Sequence, residues 1–304
     1  MNVDIIIIGG GPAGLTAGIY ALRAGKSAMV IEKNAFGGQI AQSPDLQNYP
    51  SIKSVSGLEF ADMMLDQALD LGLNVELDQV TEVSMEGPVK TVKTLSGAEH
   101  TAKALIFATG AAHRRLGLEK EEELTGKGVS YCAVCDGSFY KGRTVAVVGG
   151  GNSALQEALY LANIAETVYL IHRRDSFRGE EALAEKLKSL PNVELLLNNH
   201  VTALYGEDEL SGVEITDNQG ISQEVTVDGL FVAVGHIPDN GLFEKDIPVT
   251  EEGYADVEED CITPLAGVFT AGDVRKKKVR QVTTAVGDGA TAATEACSYI
   301  DKNY

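Results

Sequence analysis

The stretch from Val3 to Glu32, VDIIIIGGGPAGLTAGIYALRAGKSAMVIE, decides the fold of this chain. It consists of an apolar run, a turn of glycines, a helical stretch and a second apolar run. A second stretch, from Arg143 to His172, RTVAVVGGGNSALQEALYLANIAETVYLIH, aligns with it residue for residue without a gap. Each stretch has the β-α-β order of a mononucleotide-binding half. We therefore predict an α/β protein with two Rossmann-like nucleotide-binding domains, each of three layers.

The two glycine-rich turns have the spacing of dinucleotide-binding loops. The first glycine allows the tight turn, the second lets the backbone approach a pyrophosphate, and the third small residue lets the helix pack close to the sheet. These residues are Gly9, Gly11 and Gly14 in the first turn, and Gly149, Gly151 and Ala154 in the second. A pyrophosphate at the amino end of the helix would meet free N–H groups and the helix dipole. The alternative is a turn that needs small residues for packing alone.

The residues after the second strand of each unit indicate different nucleotides. Glu32 is placed to accept hydrogen bonds from ribose hydroxyls and would repel a 2′-phosphate, which suits NAD or the adenosine half of FAD. The equivalent position in the second unit is His172, followed by Arg173, Arg174 and Arg178. Guanidinium groups offer forked donors to a phosphate and keep their charge. The second site is therefore predicted to select NADPH, the alternative being a solvated basic loop.

A pair of cysteines lies between the two units, in the stretch Cys132-Ala133-Val134-Cys135-Asp136. A C-x-x-C pair beside nucleotide sites is typical of a redox-active dithiol. Zinc is the alternative, but a structural zinc needs four ligands, and Cys261 and Cys297 are isolated in the sequence. We expect no metal, and we expect Cys261 and Cys297 to fill apolar space.

The composition of the chain limits its fold class, its possible partners and its expected location in the cell. The chain has 304 residues, 33 glycines and a formal net charge of −19, which suits an α/β protein and argues against nucleic acid or an anionic membrane as partner. No apolar run approaches the length of a membrane span, and no cationic leader precedes the first strand. We expect a cytoplasmic protein.

Three further segments end in a buried-strand pattern followed by small residues. They are Ala104 to Gly110, Leu230 to Gly235 and Val268 to Asp273. Their order suggests that the first domain resumes after the second one. The predicted domains are therefore 1–113 and 240–304 for the discontinuous outer domain, and 114–239 for the inserted domain with the cysteine pair.

Taken together, the motifs resemble those of the low-molecular-weight bacterial thioredoxin reductases over almost the whole chain. The motifs are GGGPAGLTAGIYALRAG, GGQI, NYP, ATGA, SYCAVCDG, GGGNSALQEALYLA, HRRDSFR, TAGDVR and RQVTTAVGDGA. The resemblance implies FAD on the outer domain, NADPH on the inserted domain, a homodimer, and thioredoxin or a thioredoxin-like protein as partner.

The resemblance also implies which residues bind the two cofactors. For FAD they are Gly9, Gly11, Pro12, Ala13, Gly14, Glu32, Gly38, Gln39, Asn48, Thr109, Gly110, Gly272, Asp273, Arg280, Gln281 and Val282. For NADPH they are Gly149, Gly151, Asn152, Ser153, Ala154, His172, Arg173, Arg174 and Arg178.

The expected reaction passes reducing equivalents from NADPH to FAD, to the cysteine pair and to thioredoxin. The resemblance makes Cys135 the sulfur next to the flavin and Cys132 the one that attacks the substrate disulfide. Asp136 is the candidate proton donor and acceptor, for which its pKa must be raised. The alternative for Asp136 is a capping or turn residue before Gly137.

Two departures from the family pattern concern the partner. Ser138 stands where the family often has the first of two aromatic residues, and Lys127 stands where a docking arginine can occur. A reductase of the same chemistry that serves a peroxidase component or a glutaredoxin-like carrier would keep every motif. A ferredoxin- or flavodoxin–NADP reductase would lack the cysteine pair, and a ferredoxin-fed reductase would lack the arginines. A non-catalytic redox sensor would not turn over NADPH.

Overall fold

The computed structural model describes residues 1–43 and 45–304, which form two compact units. Unit 1 consists of residues 1–112 and 237–304, and unit 2 of residues 113–236. The second unit therefore lies within the sequence of the first.

Unit 1 is built on a mixed sheet. Its strands are β1 (Asn2–Ile8), β2 (Ala28–Glu32), β3 (Asn74–Leu77), β4 (Val80–Ser84), β5 (Lys90–Thr94) and β6 (Glu99–Phe107), with β17 (Val268–Thr270) joining from the end of the chain. The order is β3-β2-β1-β6-β5-β4, and β17 pairs with β6. Strands β3, β2, β1, β6 and β17 run parallel, whereas β4 and β5 form an antiparallel extension.

Unit 2 contains a parallel sheet and a smaller antiparallel one. Its strands are β8 (Val129–Ser130), β9 (Thr144–Val148), β10 (Thr167–His172), β11 (Val193–Leu197), β12 (Asn199–Gly206), β13 (Leu210–Asp217), β14 (Ser222–Thr226) and β15 (Gly229–Val232). The parallel order is β11-β10-β9-β15-β8, and β12-β13-β14 form the antiparallel sheet. Two short strands, β7 (Ala111–His113) and β16 (His236–Pro238), pair with each other where the chain passes between the units.

The α-helices are α1 (Pro12–Arg23), α2 (Gly57–Asp70), α3 (Ala133–Asp136), α4 (Asn152–Ala162), α5 (Glu181–Lys188) and α6 (Val282–Asn303). Short 3₁₀ helices span Gly38–Gln42, Gly137–Tyr140 and Gly272–Val274. None of the helices in the described ranges is both long and apolar enough to cross a membrane.

Each parallel sheet is covered on both faces, which explains why its central strands read as continuous apolar runs. In β1, Ile5 and Ile7 pack with the helices α1 and α6, while Ile6 and Ile8 face an opposite cluster that includes Phe243. This alternation follows from the two-residue period of a strand.

Unit 2 repeats the arrangement. Val145 and Val147 of β9 face the helices, whereas Ala146 and Val148 pack toward the antiparallel sheet. The three-layer α/β prediction is confirmed for both units.

Candidate functional site

In the first glycine turn, packing within the chain requires two of the glycines and leaves space beside a third. Gly9 adopts φ +108, and a Cβ there would lie 2.3 Å from the Ala108 carbonyl oxygen. A Cβ at Gly14 would lie 1.9 Å from the Gly9 carbonyl oxygen, so both positions need glycine for packing within the chain. A Cβ at Gly11 would meet nothing closer than 3.9 Å, at Gly38. Internal packing therefore does not explain Gly11, which leaves room for a ligand at the start of α1.

The second turn repeats this division of roles. A Cβ at Gly149 would lie 2.3 Å from the Ala233 carbonyl oxygen and 2.7 Å from the Ala154 side chain, whereas one at Gly151 would meet no described atom within 4 Å. The helices α1 and α4 begin at Gly11 and Gly151 without a side-chain cap, and neither carries an acidic residue in its first turn. Their amino ends therefore keep N–H groups and partial positive charge for an anion.

Glu32 lies beneath the first turn. Its side chain is buried, Oε2 accepts a hydrogen bond from the Gly10 N–H at 2.7 Å, and Oε1 accepts one from the Asn34 N–H at 2.9 Å. Each carboxylate oxygen can accept a further bond. These two N–H groups fix the carboxylate beside the turn, as a ribose acceptor requires.

His172 takes the corresponding place in unit 2. Its ring fills the space beside Gly150, where a Cβ would lie 2.1 Å from Cε1, and Nε2 is 3.1 Å from the Ser176 carbonyl oxygen. Burial lowers the pKa of His172 below its usual value, and the neighbouring arginines lower it further, although the Ser176 contact opposes them. His172 is therefore neutral near pH 7 and supports the loop without adding charge.

The three arginines predicted to bind phosphate lie together on the loop after β10. Arg173, Arg174 and Arg178 are exposed, and none of them forms an ion pair with another residue of the described ranges. The Arg178 N–H donates to the Gly150 carbonyl at 2.7 Å, which fastens the loop to the glycine turn. These three arginines fit a 2′-phosphate, because their guanidinium groups are exposed to solvent and are not paired with a carboxylate of the described residues.

The remaining residues predicted for NADPH begin α4. Asn152 accepts a hydrogen bond from the Glu180 N–H at 2.7 Å through Oδ1, and Ser153 is exposed beside it. Asn152 thus ties the amino end of α4 to the start of α5 and leaves Ser153 accessible.

Several residues predicted for FAD gather around the amino end of α1. Pro12 is the first residue of the helix. A Cβ at Gly38 would lie 3.2 Å from Gly11 Cα, and one at Gly272 would lie 2.9 Å from the Ala13 side chain. The segments that carry Gly38 and Gly272 therefore approach the first turn closely, forming a cradle of small residues.

Other predicted FAD residues are held by local hydrogen bonds. Gln39 donates to the Ala111 carbonyl, and Thr109 donates to the Asp239 carbonyl, with Gly110 following it at φ +73. The Asn48 side-chain amide donates to Gln281 Oε1 at 3.0 Å, and Gln281 precedes Val282, the first residue of α6.

Asp273 and Arg280 are charged members of the same predicted set. Asp273 Oδ1 lies 2.9 Å from Lys277 Nζ. The Arg280 guanidinium carbon lies 4.0 Å from the centre of the Tyr254 ring, and its buried Nε has no hydrogen-bond partner among the described residues. An unpartnered buried donor costs free energy, so a ligand acceptor at this position would be favoured. The residues of unit 1 therefore fit an anionic dinucleotide such as FAD.

The cysteine pair lies in unit 2, at the start of α3. Cys132 and Cys135 are joined by a disulfide with a Cα–Cα distance of 5.3 Å. Cys132 precedes the helix, and the Cys135 N–H points at its Sγ at 3.2 Å. The zinc alternative is not what the structure shows, since the two sulfurs are bonded to each other. Cys261 and Cys297 are free and buried.

Asp136 has the environment of a proton-transfer group. Its Oδ2 accepts a hydrogen bond from the Ser130 hydroxyl at 2.6 Å, and its Oδ1 is buried with no partner in the described part of the chain. Burial raises the pKa of Asp136 above its usual value, and the Ser130 hydrogen bond offsets this only in part. No capping bond joins its side chain to the 3₁₀ helix that follows.

Two residues near the pair were missed by sequence reasoning. Ser130 bridges the site, because its oxygen also accepts the Cys132 N–H at 3.1 Å. Glu157 lies on α4 with a buried Oε2. A signal existed for Glu157, since it is a lone carboxyl on a helix whose neighbours Leu155 and Ala158 are apolar. Ser130 carried no such signal.

Comparison with known proteins decides the family. The model of the pyridine nucleotide-disulphide oxidoreductases matches residues 3–289. The chain belongs to this family. The FAD and NADPH predictions are confirmed, since the family is FAD-binding and uses NADPH. The chain is thus an NADPH-dependent flavoprotein disulfide oxidoreductase.

Several relatives of this oxidoreductase are named thioredoxin reductase. A thioredoxin reductase of Mycolicibacterium smegmatis is 42% identical over 96% of this chain and 95% of its own, and one of Treponema pallidum is 41% identical over 99% and 98%. The solved thioredoxin reductase of Streptococcus pyogenes superposes with a TM-score of 0.93 at 38% identity, covering 99% of both chains. The resemblance drawn from the motifs is therefore confirmed at the level of the family.

Proposed function

We propose that this oxidoreductase reduces thioredoxin or a thioredoxin-like protein with electrons from NADPH, using Cys132 and Cys135 as the redox pair. The observation that carries the proposal is the Cys132–Cys135 disulfide beside the buried carboxyl of Asp136. The relatives named thioredoxin reductase support the choice of substrate. We also propose a cytoplasmic homodimer, which fits two free cysteines and the exposed Leu58 and Met63 of α2.

In this proposal unit 1 binds FAD. The amino end of α1 at Gly11 receives the pyrophosphate, and Glu32 accepts hydrogen bonds from the ribose. Gly38 and Gly272 allow close approach of the cofactor, and Arg280 offers its free Nε as a donor. When bound, FAD supplies the conversion of a hydride from NADPH into a pair of electrons for a disulfide.

Unit 2 would bind NADPH in the same manner at α4. Gly151 receives the pyrophosphate, and the exposed arginines after β10 hold the 2′-phosphate by charge-assisted hydrogen bonds. The neutral His172 packs under the turn and keeps the loop in place.

The cysteines and Asp136 would carry out exchange with the substrate. In the reduced pair the Cys132 thiolate attacks one sulfur of the substrate disulfide, forming a mixed disulfide and releasing a substrate thiolate. Asp136, whose pKa is raised by burial, is placed to give a proton to the thiolate that leaves and to take one back from the Cys135 thiol. Cys135 then attacks Cys132, which restores the enzyme disulfide and releases the second substrate sulfur.

The substrate would dock on apolar side chains beside the pair. Val134, between the cysteines, is 47% exposed and Phe139 is 42% exposed. Tyr140 instead turns inward, with its ring 5.2 Å from that of Phe231. Phe139 therefore replaces the aromatic pair as the docking residue, and Ser138 and Lys127 lie exposed nearby in sequence.

The test is NADPH oxidation with a panel of thioredoxins, glutaredoxins and peroxidase components. We expect the highest kcat/KM with a thioredoxin. The variants C132S and C135S are expected to lose disulfide reduction while retaining bound FAD, and C297A serves as the control because Cys297 is buried in α6. Only C135S, which retains Cys132, should trap a mixed disulfide with a thioredoxin that lacks its resolving cysteine. A higher kcat/KM with a peroxidase component or a glutaredoxin would establish the alternative substrate class.

A further inference from the structure

The face of α4 that contacts the cysteine segment carries a carboxyl group. The helices α3 and α4 pack together, and a Cβ at Gly137 would lie 2.9 Å from Tyr160 Cε1 and 3.1 Å from Leu161 Cδ2. Glu157 precedes these two residues by three and four positions, so it lies on the same face of the helix, one turn earlier. Its side chain is therefore directed toward the start of α3.

Glu157 is close to the redox pair. The backbone N–H of Ala133 lies against its carboxyl group and stabilises the ionised form. This N–H belongs to the peptide bond that follows Cys132, so the carboxyl group of Glu157 lies next to the backbone of the redox pair. The carboxyl Oε2 is buried and has no hydrogen-bond partner within residues 1–43 and 45–304.

Within the described residues, Glu157 forms no ion pair. Burial raises its pKa to about 8, and the Ala133 N–H opposes this only in part. The elements packed against α4 are α3, α5, β9 and β10. Their titratable groups are Cys132, Cys135, Asp136, Tyr169, His172, Glu181, Glu185, Lys186 and Lys188. The groups at the Ala133 end are the two cysteines and Asp136, so a new charge on the cysteines is the change that Glu157 would sense.

We propose that Glu157 is a positioning residue for the cysteine pair, whose carboxylate takes up a proton when the Cys132–Cys135 disulfide is reduced. The inference rests on the proposed role of that disulfide as the redox centre. It assigns a second carboxyl to the cysteine pair. Asp136 belongs to α3 itself, whereas Glu157 belongs to α4, which packs against α3.

The proton balance follows from the electrostatics. Two electrons and one proton break the S–S bond and give one thiol and one thiolate. The new thiolate disfavours the ionised form of Glu157, so above pH 8, where Glu157 is ionised while the disulfide is intact, the carboxylate binds a second proton from solvent. When a substrate disulfide reoxidises the pair, the substrate gains two electrons and two protons. Above pH 8, one comes from the enzyme thiol and the other is the proton that Glu157 releases, while Asp136 relays protons and ends the cycle in the protonation state in which it began.

The experiment measures the midpoint potential of the pair against pH. The holoenzyme is equilibrated with mixtures of reduced and oxidised dithiothreitol from pH 6.5 to 9.5, and free thiols are counted by alkylation and mass spectrometry. Below pH 8, wild type and E157Q should show the same slope, since Glu157 is protonated in both redox states. Just above pH 8, the wild-type equilibrium constant should change up to tenfold more per pH unit than that of E157Q, which is about 30 mV per unit.

Two further variants make the result decisive. E166Q removes a carboxylate from an exposed position after α4 and should follow the wild-type curve. E157D keeps the carboxyl group and should keep the extra proton uptake, shifted to lower pH by about 0.4 unit, the difference between the reference pKa values of Asp and Glu. If E157Q does not fold, the inference is tested by the pH at which the extra proton uptake of E157D begins.

Equal slopes for wild type and E157Q, or an unshifted curve for E157D, would overturn the inference. Failure of the proposed function gives a different result, because it would appear as no NADPH-dependent reduction of thioredoxin by the wild type, whereas this titration depends only on the disulfide and on Glu157. No NADPH or thioredoxin enters the measurement, so the identity of the substrate does not affect it.

Discussion

Replacing the arginines after β10 should remove the preference for NADPH and leave NADH unaffected. Arg173 and Arg174 are exposed and carry no ion pair within the described residues, so each is available to the 2′-phosphate. The variants are R173A, R174A and the double variant. R143A is the matched control, because Arg143 is an exposed arginine of the same unit.

The expected size of the effect follows from the exposure of these side chains. A hydrogen bond to a charged group contributes about 1.5–3 kcal/mol. Solvent screening favours the lower end of this range at an exposed site, so we take about 1.5 kcal/mol for each arginine. Each 1.4 kcal/mol corresponds to about tenfold in affinity. The double variant should therefore bind the 2′-phosphate about 100-fold more weakly, and each single variant about tenfold more weakly.

Two assays measure this independently. Titration calorimetry with 2′,5′-ADP and with 5′-AMP gives the affinity with and without the 2′-phosphate. Steady-state reduction of a dye gives kcat/KM for NADPH and for NADH. A double variant that keeps the wild-type ratio of the two kcat/KM values would refute the reasoning.

Three further predictions concern the exchange reaction and the fold. D136N should slow the reoxidation of the flavin by substrate about 10²–10⁴-fold in stopped-flow traces, while flavin reduction by NADPH stays nearly unchanged. Unaltered reoxidation would show that Asp136 has only a structural role. F139A should raise KM for thioredoxin about tenfold and leave KM for NADPH unchanged, because it removes exposed apolar surface beside the pair; an unchanged KM for thioredoxin would show that Phe139 does not dock it. D288N should destabilise unit 1 by about 3 kcal/mol in denaturant titrations, since it leaves the buried Arg275 without its carboxylate. D301N, which removes the carboxylate that pairs with Lys26 at the surface, should leave the stability nearly unchanged.

The Asp288 prediction includes a pH dependence. Burial alone would raise the pKa of Asp288, but the Arg275 hydrogen bonds and the Lys277 charge lower it below its usual value. A carboxyl whose pKa is lowered by folding contributes stability above its unfolded pKa, near 4, and loses it as the pH falls through the lower folded value. Wild-type stability should thus decline below pH 4, and the D288N variant should show a smaller decline.

The sequence predicted those parts of the site that depend on local geometry. A glycine turn between a strand and a helix needs fixed spacing, so Gly9 and Gly14 could be assigned roles that the structure bears out in their close approaches to backbone oxygens. The position of Glu32 followed because it ends β2, next to the turn. The family, fold class and cofactors then came from the order of such motifs.

The parts that depend on packing between distant segments could not be predicted. Ser130 reaches Asp136 because β8 ends beside α3, and nothing in its neighbouring residues marks it. The raised pKa of Asp136 and that of Glu157 arise from burial, which appears only when α3 packs on α4. The antiparallel sheet β12-β13-β14 was also not predicted, since its strands carry no motif.

The two units differ at the residue that ends the second strand of each glycine-turn motif, which is Glu32 in unit 1 and His172 in unit 2. Glu32 is held beside its turn by hydrogen bonds from the N–H groups of Gly10 and Asn34. His172 occupies the same place in unit 2, but burial lowers its pKa and leaves it neutral near pH 7. It neither repels nor attracts the phosphate. In the proposed function, recognition of the 2′-phosphate is assigned to the three arginines, whose charge does not titrate, so the preference for NADPH should not depend on the protonation of histidine.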